Sequence, residues 1–187
     1  MYWCKTQKIS CYFGVLLLIA GSTACNKPEI KETGAQIKYF DLKGYFAKEA
    51  AKLTTLNPVV NKTVTHNGAS ESKNIAIKAW KQELNLFTES DINKPAWRNS
   101  YKVTTTPDST VYTAIEPDLK TRRITIVKNG ESINAVYILN STHNFLYSTT
   151  DQLTYLPGKS YSIQKEQHVK IIGDNNYQIK GNFNDGR

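Results

Sequence analysis

Cys25 is the residue of this 187-residue chain best placed for covalent chemistry. It closes the apolar and small-residue run from Gly14 to Ala24, and the basic residues Lys5 and Lys8 precede that run. A basic start, a short apolar core and then small residues form an export signal. A thiol at the end of such a signal is a nucleophile that can take an acyl chain. The other candidates are weaker. His66, His143 and His168 lack the i, i+4 or His-x-His spacing of a metal site, and no cysteine after Cys25 can join them. Glu89 with Asp91, and Glu116 with Asp118, stand beside turn residues, where carboxylates serve solvation and capping. There is no Gly-rich phosphate loop, no Gly-x-Ser-x-Gly elbow and no Ser-x-x-Lys with its accompanying motifs. The residues thus call for no metal and no cofactor, and they give an enzyme no positive support.

The stretch Ser22-Thr23-Ala24-Cys25 resembles a lipobox, the processing site of bacterial lipoproteins. That resemblance implies that Cys25 becomes the first residue of the mature chain and carries its acyl chains. Two plainer readings compete. A spanning helix needs roughly 20 apolar residues, and the apolar part between Ile9 and Asn26 is shorter. Ordinary cleavage after Ala24 also fits the small residues, and Ser22 stands where a lipobox usually has an aliphatic residue. Cysteine usage favours lipidation: Cys4, Cys11 and Cys25 are the only cysteines, so an exported domain has no internal disulfide and would carry a lone thiol. Asn26 follows, where an aspartate retains enterobacterial lipoproteins in the inner membrane. The resemblance therefore implies the outer membrane, on its periplasmic side or at the cell surface.

These readings divide the chain into a signal peptide over 1–24, a lipidated cysteine and flexible tether over 25–36, and one domain over 37–187. The eleven tether residues after Cys25 reach at most about 35–40 Å. Several acyl chains hold firmly where one binds only marginally. Removing residues 1–24 deletes two of the 24 basic residues and none of the 16 acids, so net charge falls from +8 to +6. A tethered, exported protein rarely meets nucleic acid. Its expected partners are the membrane through Cys25, an envelope protein, or anionic lipid and glycan.

The domain must position whatever surface does the work. Asp41 caps a helix over 41–56 with Leu42, Tyr45, Phe46, Ala50 and Leu53 on one side, and Asn57-Pro58 stops it. Val59–His66 reads as a strand ending at the Asn67-Gly68 turn. The stripe Ile77, Trp80, Leu84 and Phe87 predicts a second helix over 74–88. From 101 to 183 the pattern has period two, with turns expected at Pro107–Thr110, Asn129-Gly130, Pro157-Gly158 and Asp174–Asn176. One apolar set is Ile133, Ala135, Tyr137 and Leu139; others are Tyr161, Ile163, Val169 and Ile171, and Tyr177, Ile179 and Phe183. The economical architecture is α+β: a curved antiparallel β-meander with two N-terminal amphipathic helices on its apolar face.

Three function classes follow. The first is a non-catalytic binding or structural module at the outer membrane. A carrier or sensor of an apolar ligand is the second, its cavity lined by Trp80, Phe87, Tyr137, Phe145, Tyr147 and Tyr161, in a fold similar to the half-barrels that carry lipids or lipoproteins across the periplasm. The third is an enzyme acting on glycan or peptidoglycan. Separately, Asp108-Ser109-Thr110 resembles a Gram-negative O-glycosylation motif, which would modify Ser109. The helix stripe gives a direct test. Trp80→Ala should destabilise the domain by about 3–5 kcal/mol in a thermal or denaturant melt, and an unchanged melt would mean that this stripe does not pack.

Overall fold

The computed structural model describes residues 37–171 and 173–184. The expected signal peptide, the tether and Cys25 lie outside the described residues. Helix α1 spans Leu42–Leu56. The Asp41 side chain accepts the Gly44 N–H at 2.8 Å, satisfying one of the donors that a helix start leaves open. At the other end Asn57 takes the left-handed conformation (φ 43°) and its N–H closes on the Leu53 carbonyl, just before Pro58.

A hairpin follows, β1 (Val59–His66) and β2 (Ala69–Ala76). Its turn has positive φ at both Asn67 and Gly68, the geometry that matches the twist of two-residue hairpins. Two short helices come next, α2 (Trp80–Glu83) and α3 (Asn85–Glu89), and then a 3-10 turn over Pro95–Trp97. The rest is a meander: β3 (Tyr101–Thr105), β4 (Ser109–Ala114), β5 (Thr121–Asn129), β6 (Ser132–His143), β7 (Tyr147–Leu156), β8 (Ser160–Val169) and β9 (Gly173–Phe183). All strands join one antiparallel sheet in the order β2-β1-β9-β8-β7-β6-β5-β4-β3. The first hairpin is therefore added to the last strand, with Val60 opposite Phe183 and His66 opposite Tyr177.

The structure is mostly this nine-stranded sheet with few helices, and it corrects the sequence reading in three places. The single helix expected over 74–88 does not form. Asn74–Ala76 complete the ladder with β1 instead, and the helical path breaks at Leu84. The apolar stripe still faces inward, because Ile77, Trp80, Leu84 and Phe87 are all buried. Second, β8 ends at Val169 and β9 already begins at Gly173, so Asp174–Asn176 belong to the sheet rather than to a turn. Gly173, with φ +89°, supplies the left-handed residue there. Third, the inward set of β6 is Val136, Ile138 and Asn140, while Tyr137 points to the opposite face and is 44% exposed. Residues 135–139 are all apolar, so alternation cannot choose a face, and a register shift against β5 at Val127/Lys128 resets it.

The core is a continuous run of rings between the helices and the sheet. Phe46 of α1 lies 4.8 Å from Phe87 and 5.2 Å from Tyr155 between ring centres. Trp80 lies 6.0 Å from Tyr161 and 5.7 Å from Phe183. Tyr39, ahead of α1, meets Tyr101 and Tyr112 edge-on. Edge-to-face pairs of this kind add about 0.5–1.5 kcal/mol beyond burial. Two phenols then reach out of the core to helix carboxylates. Tyr155 donates to Glu49 and Tyr161 to Glu83, each at 2.6 Å. Lys62 of β1 completes the second contact by pairing with Glu83 at 2.6 Å.

Tyr161 lies across Gly181, directly opposite it on β9, and a Cβ at Gly181 would overlap its Cε1 and Cζ atoms. Gly181→Ala should therefore cost about 1–3 kcal/mol through overpacking, read in a denaturant melt. A neutral result would show that Tyr161 can leave the glycine. The phenols also set an alkaline limit. Burial, and then the neighbouring carboxylate, raise Tyr155 and Tyr161 well above the ordinary phenol value of 10.0, and burial pushes Tyr101 up to about 12. Groups raised in the fold stabilise it fully below pH 10.0, and that contribution is lost as pH rises toward their folded values. These phenolates should thus appear together with cooperative unfolding above pH 10.0; gradual titration with an intact near-ultraviolet signal would contradict their burial.

Candidate functional site: a polar trough on the open sheet face

Register turns the separated polar residues of β7, β8, β9 and β1 into rows. On the face away from the helices, His143, Ser148, His168 and Asp174 stand opposite one another on four successive strands. The next row is Thr150, Glu166 and Asn176. The row after that is Gln152, Gln164, Gln178, Thr65 and Ser70. Beyond it lie Tyr137, Thr154, Ser162, Lys180, Thr63 and Ser72. Most of this surface is amide and hydroxyl.

Within it is an open trough of about 630 Å³ near the turns that end β1 and β8, with Ser148, Thr150, Gln164, Glu166, His168, Asp174, Asn176, Gln178, Thr65 and Gly68 among its walls. Some of its groups are already committed. His168 Nδ1 and Asp174 Oδ1 are 2.6 Å apart, and Gln164 donates to Glu166 at 3.0 Å. Thr65 shares a hydrogen bond with Ser70 at 2.7 Å. Among the described residues, the side chains of Ser148, Thr150, Asn176 and Gln178 make no protein hydrogen bond. The Ser148, His168 and Asp174 alignment invites comparison with a nucleophile, base and acid. Its His–Asp pair is, however, 60% and 76% exposed, so the carboxylate that should be shielded is the wettest member. The charged groups of the trough are two carboxylates, one imidazole and Lys165, whose Nζ reaches toward Asp151 at 3.9 Å.

A second polar group lies under the helices. Asn140 donates to Ser90 Oγ at 2.9 Å, Ser90 to the Leu86 carbonyl at 2.7 Å, and Tyr101 to the Thr121 carbonyl at 2.9 Å. With Thr121 Oγ1 also donating to the Ser90 carbonyl at 3.3 Å, these ties fasten the end of α3 to β5 and β6. Their atoms are buried, so they act as structure rather than as a surface for ligands.

The six rings expected to line one apolar cavity are not brought together. Trp80, Phe87 and Tyr161 are buried in the packed core, Tyr137 is on the polar face, Phe145 is 80% exposed under Lys170 (3.7 Å), and Tyr147 is partly exposed. Ser109 opens β4, half-buried, with its hydroxyl 2.9 Å from that of Thr106. Among the described residues no three histidine, cysteine or acid side chains gather as a metal site, and no helix is long and apolar enough to cross a membrane. The trough escaped the sequence reading, although part of its signal was present. Counting outward from the Pro157-Gly158 turn places Ser148 opposite His168, whereas a turn at 174–176 would have removed Asp174 from the row. The fold and site thus define an antiparallel sheet domain with one packed face and one polar, grooved face. No family model, no curated protein and no solved structure matches this chain.

Proposed function

We propose that this protein is a non-catalytic binding module of the cell envelope, held at the outer membrane by acyl chains on Cys25, with the polar sheet face as its working surface. The observation that carries the reading is the unequal treatment of the two faces. One is filled by Trp80, Phe46, Phe87, Tyr155 and Tyr161, all completely or almost completely buried. The other keeps a trough of about 630 Å³ whose walls include the uncommitted hydroxyls and amides of Ser148, Thr150, Asn176 and Gln178. Apolar cargo would need the first face open, and triad chemistry would need a shielded acid. A binding surface needs neither. The anchor rests on the lipobox resemblance and on the absence of any cysteine after Cys25.

The anchor is tested in a host that lipidates proteins. Cys25→Ser should give an unprocessed precursor or a soluble product, without acyl mass on the intact protein. Unchanged membrane fractionation and mass would remove lipidation, and the outer-membrane reading with it.

A further inference from the structure

Building on that binding-module reading, we infer that the trough takes an uncharged oligosaccharide, laid across strands β7, β8 and β9. The argument is one of hydrogen-bond and charge complementarity. A pyranose presents hydroxyls that both donate and accept. Asn and Gln amides also do both, Ser and Thr hydroxyls do the same, and carboxylates accept strongly. The trough places such groups in three adjacent rows, with Gln164 facing Gln178 and Glu166 facing Asn176. Strands about 4.8 Å apart present one row member per step, close to the length of one sugar unit in a chain. Hydrogen-bonding capacity is left over, because the side chains of Gln178, Asn176 and Thr150 make no protein hydrogen bond among the described residues, although the Asn176 backbone is tied to Asn67. A volume of about 630 Å³ suits a short run of sugars, within the range of about 300–1,000 Å³ usual for ligand sites.

Charge excludes the main competitors. The whole chain carries +8, yet the trough holds Glu166 and Asp174 against a histidine already paired to Asp174. Lys165 is directed at Asp151 on the inward face. Phosphate, lipid headgroup and uronate ligands would find carboxylates where they need cations. An apolar ligand would strand the amides without partners.

The test is isothermal titration of the mature, detergent-solubilised protein with cellohexaose, maltohexaose and hexa-N-acetylchitohexaose, and with hexagalacturonate as the anionic comparison. At least one neutral hexaose should bind. The double change Gln164→Ala with Gln178→Ala should weaken it by about tenfold or more. Thr63→Ala with Ser72→Ala, on the same face outside the trough, should leave binding unchanged. Matching melting curves for the variants would show that the fold is intact. The inference is overturned if no neutral hexaose binds, if hexagalacturonate alone binds, or if the Gln164/Gln178 change has no effect. Product masses separate the two readings. A hexaose that is bound and cleaved supports the ligand class and removes the non-catalytic reading, whereas silent hexaoses with intact trough-dependent capture of another partner remove the ligand class alone.

Discussion

Two phenol–carboxylate contacts hold the helical layer on the sheet, and most of the architecture depends on them. Tyr155 and Tyr161 rise from the inward face of β7 and β8 as ring-filling core residues, yet each ends in a hydroxyl that must be satisfied. Glu49 of α1 and Glu83 of α2 meet them at the rim. Lys62 then neutralises Glu83, so that contact joins β1, α2 and β8. The geometry demands room on the sheet, and Gly181 supplies it by offering no side chain where the Tyr161 ring lies. A glycine on the last strand is thus a packing requirement of a helix far away in sequence.

With one face fully spent on this packing, the other is left to water. Its residues are the period-two complements of the core, and their chemistry is nearly uniform: amides and hydroxyls that pair across strands, as in Asn61 with Asn74 and Thr63 with Ser72. Such ladders support the sheet without using all of their hydrogen-bonding capacity. Near the ends of β1 and β8 the same surface becomes a trough. Its acids are there because β8 and β9 cross at Glu166 and Asn176 and at His168 and Asp174, not because they are near one another in sequence.

What could be read in advance was whatever the local chain dictates. The Asp41 cap, the helix stop at Asn57-Pro58, and the turns at Asn67-Gly68, Asn129-Gly130 and Pro157-Gly158 all depend on a few adjacent residues. Gly68, Gly130 and Gly158 do adopt positive φ. Errors arose where a local signal met a longer-range partner. Asn74–Ala76 are as compatible with a helix as with an edge strand until β1 offers them a ladder. The apolar run over 135–139 has no intrinsic inward side until the β5–β6 bulge assigns one. The trough was the least legible feature, because its rows require the register of three hairpins at once, and a four-residue error in one turn displaces Asp174. The anchor proposed at Cys25 is of the opposite kind and rests on linear sequence alone, because export signals are read without a fold.

The pairing of β1 with β9 also bears on how the chain reaches its folded state. Val60 and Phe183 are 123 positions apart in number, and the Glu49–Tyr155 contact closes 106 residues. Contacts of such separation form slowly, because loop entropy is spent before they return anything. A polypeptide emerging N-terminus first cannot place α1 and the first hairpin until β7 and β9 have followed. Premature compaction is thereby discouraged while the chain is still emerging, and the sheet closes only when its last strand has arrived.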